Sequence, residues 1–357
     1  MREYEYDVVQ DLLAQKETIQ VHGVEIEVKR AKDGGGQGQI DPRCLKQMLE
    51  FDKMQKESTH IPTLEETRSN MVGFSYNLNT ESIATRYVEV ETTCGKVPVW
   101  MYYPAKAEGA LPMLLYVHGG AFMGGSVFTV ENGCRLLAEK AHAVVCNIDY
   151  SLPPETPYPI PTTQIYESVS HFYKNASTYQ IDKQRIFIGG DSAGGNMSAA
   201  VTQMDRDKRT GYIRGEALIY AKLVFANHLV EGYERDLSVF ELVEEQKPYL
   251  ESLTGIGSEE SNAEDQAYYV QGRYDLSDPW ISPMCGSKEG LPSTLMIQAE
   301  YDGLRLEGEF YAKQLKEAGV QVRCIRYCGM PHGFLDRIGF LPQAEATMIE
   351  IAKFIQE

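Results

Sequence analysis

The chain is predicted to fold as an α/β protein, with a mostly parallel central sheet flanked by helices and a helical cap above it. Three observations carry this. From about Thr85 onward, short apolar runs alternate with helix-patterned stretches, and that alternation builds parallel sheets with helices on both faces. One such run, Arg185-Ile186-Phe187-Ile188, leads into Gly189-Gly190-Asp191-Ser192-Ala193-Gly194-Gly195 and then into small residues that start a helix. That is the strand–turn–helix context in which a Gly-x-Ser-x-Gly serine is exposed on a tight turn. Finally, 357 residues with 43% apolar and 24% charged content suit one large domain with insertions, or two domains.

Taken in order, residues 1–84 differ in character and are expected to form an N-terminal cap section. Helices are predicted over Asp7–Ile19, over Asp41–Ser58, where Asp41-Pro42 supplies an N-cap and first turn, and over Leu64–Met71. The Gly-rich stretch 33–39 lacks the strand context and spacing of a phosphate loop. The main domain is expected over 85–357. Thr85–Thr92 and Lys96–Tyr103 read as a hairpin turning at Thr93-Cys94-Gly95, and Leu111–Val117 reads as a buried strand. A helix over Val130–Lys140 leads to a strand at Ala143–Ile148, and a helix over Thr162–Asn175 leads to the strand before Ser192. After the helix that follows Ser192 comes a strand at Ala217–Val224. From about 227 to 278 the alternation stops, and this polar, helix-prone stretch, with Ser238–Glu245 as its example, is expected to be an insertion joining the cap. The sheet resumes at Thr294–Ala299, followed by helix Glu307–Ala318, strand Val320–Tyr327 and helix Gln343–Ile355.

A formal net charge of -17 argues against nucleic acid or an anionic membrane surface as partner. The acidic start Met1-Arg2-Glu3-Tyr4-Glu5 has no apolar core of a secretory signal, and no run approaches a membrane span. Seven scattered cysteines read as reduced thiols, so a cytoplasmic location is expected. No Cys/His grouping has zinc spacing, and neither metal nor cofactor is expected.

A serine hydroxyl needs a base within hydrogen-bond reach and a carboxylate to orient that base. In folds of this kind the partners follow in the order Ser, Asp or Glu, His. Of seven histidines, only His332, in Gly329-Met330-Pro331-His332-Gly333-Phe334, lies in a loop after a late strand. The late carboxylates are Glu300, Asp302 and Glu307, with Asp336 further on. Asp302 is favoured because it sits on the glycine-containing loop beyond the strand end. The oxyanion of a tetrahedral intermediate needs N–H donors. His118-Gly119-Gly120-Ala121-Phe122 directly follows a buried strand, so Gly119, Gly120 and Ala193 N–H groups are assigned to it. His118 itself reads as structural. Phe122, Met123, Tyr150 and Phe334 are candidate pocket-wall residues.

Over residues 85–357 the chain resembles the hormone-sensitive-lipase-like esterases, the bacterial family IV carboxylesterases of the α/β-hydrolase fold. The resemblance rests on HGGAF at His118–Phe122, DYSLPPETPYP at Asp149–Pro159, GGDSAGGN at Gly189–Asn196, EYDGLRLEG at Glu300–Gly308 and MPHGF at Met330–Phe334. It implies Ser192 as nucleophile, Asp302 as acid and His332 as base, with a two-part cap over the site. The chain departs from the family pattern at Ser151, Pro153, Gly303 and Leu306, where the family usually has Arg, Ala, Pro and Asp. Gly303 is expected to loosen the acid loop, and Ser151 to remove a local salt bridge. The resemblance implies hydrolysis of short-chain acyl esters through an acyl-enzyme. Two alternatives are kept: deacetylation of sugars or plant-polymer fragments, and a non-catalytic small-molecule receptor on the same scaffold. The partner expected is a small-molecule ester, with a homodimer as the candidate assembly.

Overall fold

The computed structural model describes residues 1–57, 60, 62–255 and 266–357. In chain order the elements that frame the site are α1 (Tyr6–Ala14), β1 (Thr18–Val21), β2 (Val24–Lys29), α2 (Pro42–Glu57), α3 (Leu64–Asn70), β3 (Ile83–Thr92) and β4 (Gly95–Pro104). Next come β5 (Leu111–Val117), α4 (Glu131–Ala141), β6 (Val144–Ile148), α5 (Ile160–Lys174), β7 (Ile181–Asp191), α6 (Ala193–Asp207) and β8 (Gly215–Ile219). After the short α7 (Leu250–Thr254) follow β9 (Ser293–Tyr301), α8 (Leu304–Glu317), β10 (Val322–Pro331) and α9 (Pro342–Gln356).

One ten-stranded sheet runs in the order β1-β2-β10-β9-β8-β7-β5-β6-β4-β3. Every pairing from β2 through to β6 is parallel, and only β1–β2, β6–β4 and β4–β3 are antiparallel. The central strands are buried on both faces, and a strand's side chains alternate between them. On β5, Leu114 and Tyr116 enter one hydrophobic core while Met113, Leu115 and Val117 enter the other. The C-terminal ends of β5, β7, β9 and β10 therefore share one edge, where loops can converge.

The predicted sequence of strands and helices from Thr85 is observed with two differences, and the N-terminal section adds another; each has a local cause. The predicted helix Asp7–Ile19 stops at Ala14, and Thr18–Val21 is strand. His22 and Gly23 both have positive φ, 51° and 77°, as a two-residue hairpin turn requires. β2 then pairs in parallel with β10, so residues 18–29 extend the sheet. The expected strand Ala217–Val224 ends at Ile219 because the N–H groups of Leu223 and Val224 donate to the Glu307 carboxylate instead of a neighbouring strand. Ser238–Glu245 forms no continuous helix; short 3-10 turns flank it at Leu237–Val239 and Glu244–Tyr249, and Phe240 and Leu242, two apart, are buried. All seven cysteines are unpaired. Among the described residues no helix is long and apolar enough to cross a membrane.

Candidate active site

Ser192 sits between the end of β7 and the start of α6 with φ 53° and ψ -118°, a conformation costly for a residue with a Cβ. Its N–H donates to Ile219 O at 2.9 Å, and its carbonyl starts α6 by accepting from Asn196 N–H at 3.1 Å. The flanking glycines make this turn possible. A Cβ at Gly190 would stand 2.3 Å from Val117 O, and one at Gly194 2.0 Å from the same atom. β5 can thus end directly against the turn, which brings the His118–Phe122 stretch alongside Ser192.

The other strands deliver the partners. Ser192 Oγ–H donates to His332 Nε2 at 2.9 Å, and His332 Nδ1–H donates to Asp302 Oδ2 at 2.6 Å. Asp302 follows β9 and is buried; its second oxygen accepts from Leu304 N–H at 2.9 Å, which fixes the carboxylate. His332 follows β10, with its side chain 38% exposed, and the Tyr220 ring packs on it at 4.8 Å. Burial pulls the His332 pKa down, but Asp302 outweighs this, helped by Asp191 and Asp336, so the pKa stands above its ordinary value. The competing carboxylates have other duties. Glu300 accepts from Gly329 N–H at 2.6 Å, and Glu307 takes the N–H groups of Leu223 and Val224. Asp336 lies on the histidine loop with Oδ1 unpartnered, and burial, then Asp191, pushes it up to about 7.

One sequence assignment is corrected at the oxyanion side. Gly119 N–H donates to Asp191 Oδ1 at 3.1 Å, and Tyr116 O–H donates to the same oxygen at 2.9 Å. The aspartate beside the serine therefore captures the first glycine's donor. Among the described residues, the N–H groups of Gly120, Ala121 and Ala193 donate to no protein acceptor. Ala121, absent from the sequence assignment, has φ 50° and Phe122 has φ 59°, so the chain turns sharply there. His118 is structural as expected: its buried ring stacks on Tyr150 at 4.5 Å, and burial lowers its pKa to about 4, which keeps it neutral.

Of the four candidate wall residues, only Met123 is partly exposed. Phe334 is packed between Tyr220 and Tyr327, and Tyr150 donates its hydroxyl to His118 O at 2.9 Å; both belong to the core. Phe122 is 1% exposed and stacks on Tyr269 at 4.4 Å, with Phe225 at 5.3 Å. Gly303 does not loosen the acid loop. A Cβ there would stand 2.0 Å from Thr254 O of α7, so the missing side chain lets the insertion close directly onto that loop. Where the family has an arginine, Ser151 is held instead by Gln164, which accepts from its N–H at 2.9 Å and donates to its Oγ at 3.0 Å.

Comparison with known proteins finds esterases of the same fold. A family model described as alpha/beta hydrolase fold matches residues 114–336. The carboxylesterase NlhH of Mycobacterium tuberculosis is 32% identical over 257 residues, covering 70% of this chain and 75% of that protein. An arylesterase of Saccharolobus solfataricus is 29% identical, covering 70% and 77%. Among solved structures, the hyperthermophilic esterase of Pyrobaculum calidifontis superimposes with a TM-score of 0.74 at 28% identity, covering 89% of this chain and 98% of its own. With a serine, a histidine and an aspartate in hydrogen-bonded series at the end of a mostly parallel sheet, the chain belongs to the hormone-sensitive-lipase-like carboxylesterases of the α/β-hydrolase fold, and it is a carboxylic ester hydrolase.

Proposed function

We propose that the enzyme hydrolyses short-chain acyl esters, acetyl to about hexanoyl, through a covalent acyl-enzyme on Ser192. The observation that carries the reading is the unbroken series Ser192 Oγ–His332–Asp302 at 2.9 and 2.6 Å. Ser192 Oγ attacks the ester carbonyl as His332 Nε2 takes its proton. Asp302 keeps the proton on Nδ1 and stabilises the imidazolium. The carbonyl oxygen, now an anion, is met by the N–H groups of Gly120, Ala121 and Ala193. The intermediate collapses, the C–O bond breaks, and His332 returns the proton to the leaving alcohol. Water, deprotonated by His332, then attacks the acyl carbon and releases the acid and free Ser192.

The short-chain limit is supported by the rings of Phe122, Phe225 and Tyr269, which pack on one another next to the oxyanion loop. In this reading the cap is formed by described residues of 30–84 and of the insertion at 227–278, while residues 18–29, expected with the cap, belong to the sheet instead. The unpaired thiols support a cytoplasmic setting. The test is a p-nitrophenyl ester series from acetyl to palmitoyl, run on the wild type and on Ser192→Ala. Turnover should peak at or below hexanoyl and be lost in S192A, and a phosphonate ester should add its mass at Ser192. A maximum at long chains would refute the size limit; unchanged turnover in S192A would refute the mechanism.

A further inference from the structure

The oxyanion loop is held from outside the sheet. Gly120 O accepts from Met123 N–H at 3.0 Å and from Gly124 N–H at 2.8 Å, closing a tight turn. Two non-glycine residues inside it, Ala121 and Phe122, lie at positive φ. Such backbone persists only where surrounding structure restrains it. Phe122 is anchored by Tyr269 and Phe225, and the far side of the turn is restrained by the N-terminal section. α3 begins in a capping box, Thr63 Oγ1 accepting from Glu66 N–H and the Glu66 carboxylate from Thr63 N–H, which places Arg68 one turn further on.

Arg68 Nε donates to Met123 O at 2.6 Å, the carbonyl that ends the turn. The same guanidinium donates to Pro153 O at 2.7 Å and clasps Glu155 through two bonds of 2.8 and 2.7 Å. A planar fork suits this bidentate pairing, and lysine cannot reproduce it. Arg68 also closes over the turn: a Cβ on Gly124 would stand 2.5 Å from Met71 Sδ and 3.5 Å from Arg68 Cγ. Thr129 Oγ1 adds a bond to Met71 O at 3.2 Å.

We propose that Arg68 is a positioning residue for the oxyanion donors: by tying Met123 O to Pro153 and Glu155, it holds the Gly120–Gly124 turn so that Gly120 and Ala121 N–H groups are set for the tetrahedral intermediate. Docking of the N-terminal section then sets the rate of the chemical step as well as covering the site. The inference rests on the ester-hydrolysis mechanism above. The donors matter only where negative charge develops, so their misplacement is felt in the transition state and not in ground-state binding.

The experiment uses the full chain with p-nitrophenyl butyrate, and phenylboronic acid as a probe that forms a tetrahedral adduct on the serine. Arg68→Ala should lower kcat by about tenfold to a hundredfold with KM within about twofold. The boronic acid inhibition constant should rise in parallel. Arg68→Lys should recover part of the rate, and added guanidinium ion should raise the rate of R68A. Glu155→Gln, which keeps the bond to Met123, should show the same split more weakly, and these two variants decide the matter where R68A does not fold. A kcat within twofold of wild type, a loss confined to KM, or an unchanged inhibition constant would each overturn the proposal. A wild-type chain that turns over no ester would instead overturn the catalytic reading, so the two failures are separable.

Discussion

Replacing Gly303 by alanine is expected to damage catalysis through an atom that never touches substrate. The φ of Gly303 is -61°, comfortable for any residue, and its N–H donates to no acceptor among the described residues. Neither backbone strain nor a lost hydrogen bond therefore opposes alanine, or even proline. The obstacle is space: a Cβ would stand 2.0 Å from Thr254 O and 2.6 Å from Arg235 Nη2. Restoring ordinary contact requires a shift of about 1.4 Å, and overpacking of this kind costs about 1–3 kcal/mol. Thr254 closes a helical turn and its carbonyl also takes Arg235, so part of the shift is expected to fall on the acid loop.

The neighbour that moves with Gly303 is Asp302, whose contact to His332 is 2.6 Å. A displacement of about 1 Å at a catalytic group costs about a hundredfold, so G303A and G303P should each lose about tenfold or more in kcat. The pH profile supplies an independent reading. As the Asp302 contact lengthens, the His332 pKa should fall back toward its ordinary value, and the acid limb of kcat/KM should move down. The assay is kcat, KM and the pH profile on p-nitrophenyl butyrate for both substitutions. A kcat within twofold and an unmoved acid limb in both would refute the claim that the insertion's carbonyl bears on the acid loop.

Two further outcomes follow from charge. In the proposed mechanism His332 must be neutral to accept the serine proton, and its pKa is raised, so kcat/KM should fall as pH drops through a midpoint above the ordinary imidazole value; a limb centred at or below that value would contradict the raised pKa, and Asp302→Asn should lower it. Away from the site, Lys29 and Glu350 are fully buried and bonded at 2.9 Å, with Arg323 also on Glu350 at 2.9 Å. Glu350→Gln leaves Lys29 a single carboxylate at 3.7 Å, Glu27, and should cost about 3 kcal/mol by urea unfolding at neutral pH with kcat unchanged. The Glu350 pKa is lowered, by Lys29 and Arg323 against the opposing effect of burial, so its contribution is present above the ordinary carboxylate range and lost as pH falls through the depressed value. The gap between wild type and E350Q should therefore narrow in acid, and a gap that widens would refute the assignment.

The parts of the fold and site that were legible in the sequence are those set by local pattern. Ser192, Asp302 and His332 each follow a buried strand, and a parallel sheet delivers such strand ends to one edge whatever the intervening loops do. What sequence left hidden depends on which distant group reaches a given atom. Gly119 looks as free as Gly120 until the Asp191 side chain folds back onto its N–H. Gly303 reads as a loosening residue until Thr254 O arrives beside it. Phe334 and Tyr150 read as pocket walls until Tyr220, Tyr327 and His118 enclose them. The hairpin at 18–29 does carry a signal, Val21-His22-Gly23-Val24, but the apolar residues before it also fit a helix.

That hairpin changes how the N-terminal section is to be understood. A cap that only covered a pocket could be expected to pack on the main domain through side chains near the site. Two of the section's many contacts with the main domain lie far apart and bear on the site. β2 lies in the central sheet against β10 and is locked by Lys29 and Glu350, while Arg68 reaches the carbonyl of Met123 beside the oxyanion loop. β10 is also the strand that ends at His332. In the proposed mechanism the same section therefore braces the strand that leads to His332 as base and the turn that holds Gly120 and Ala121 as oxyanion donors, on either side of Ser192. A change in how it docks would act on proton transfer and on charge stabilisation together, and so would be read in kcat before it was read in substrate range.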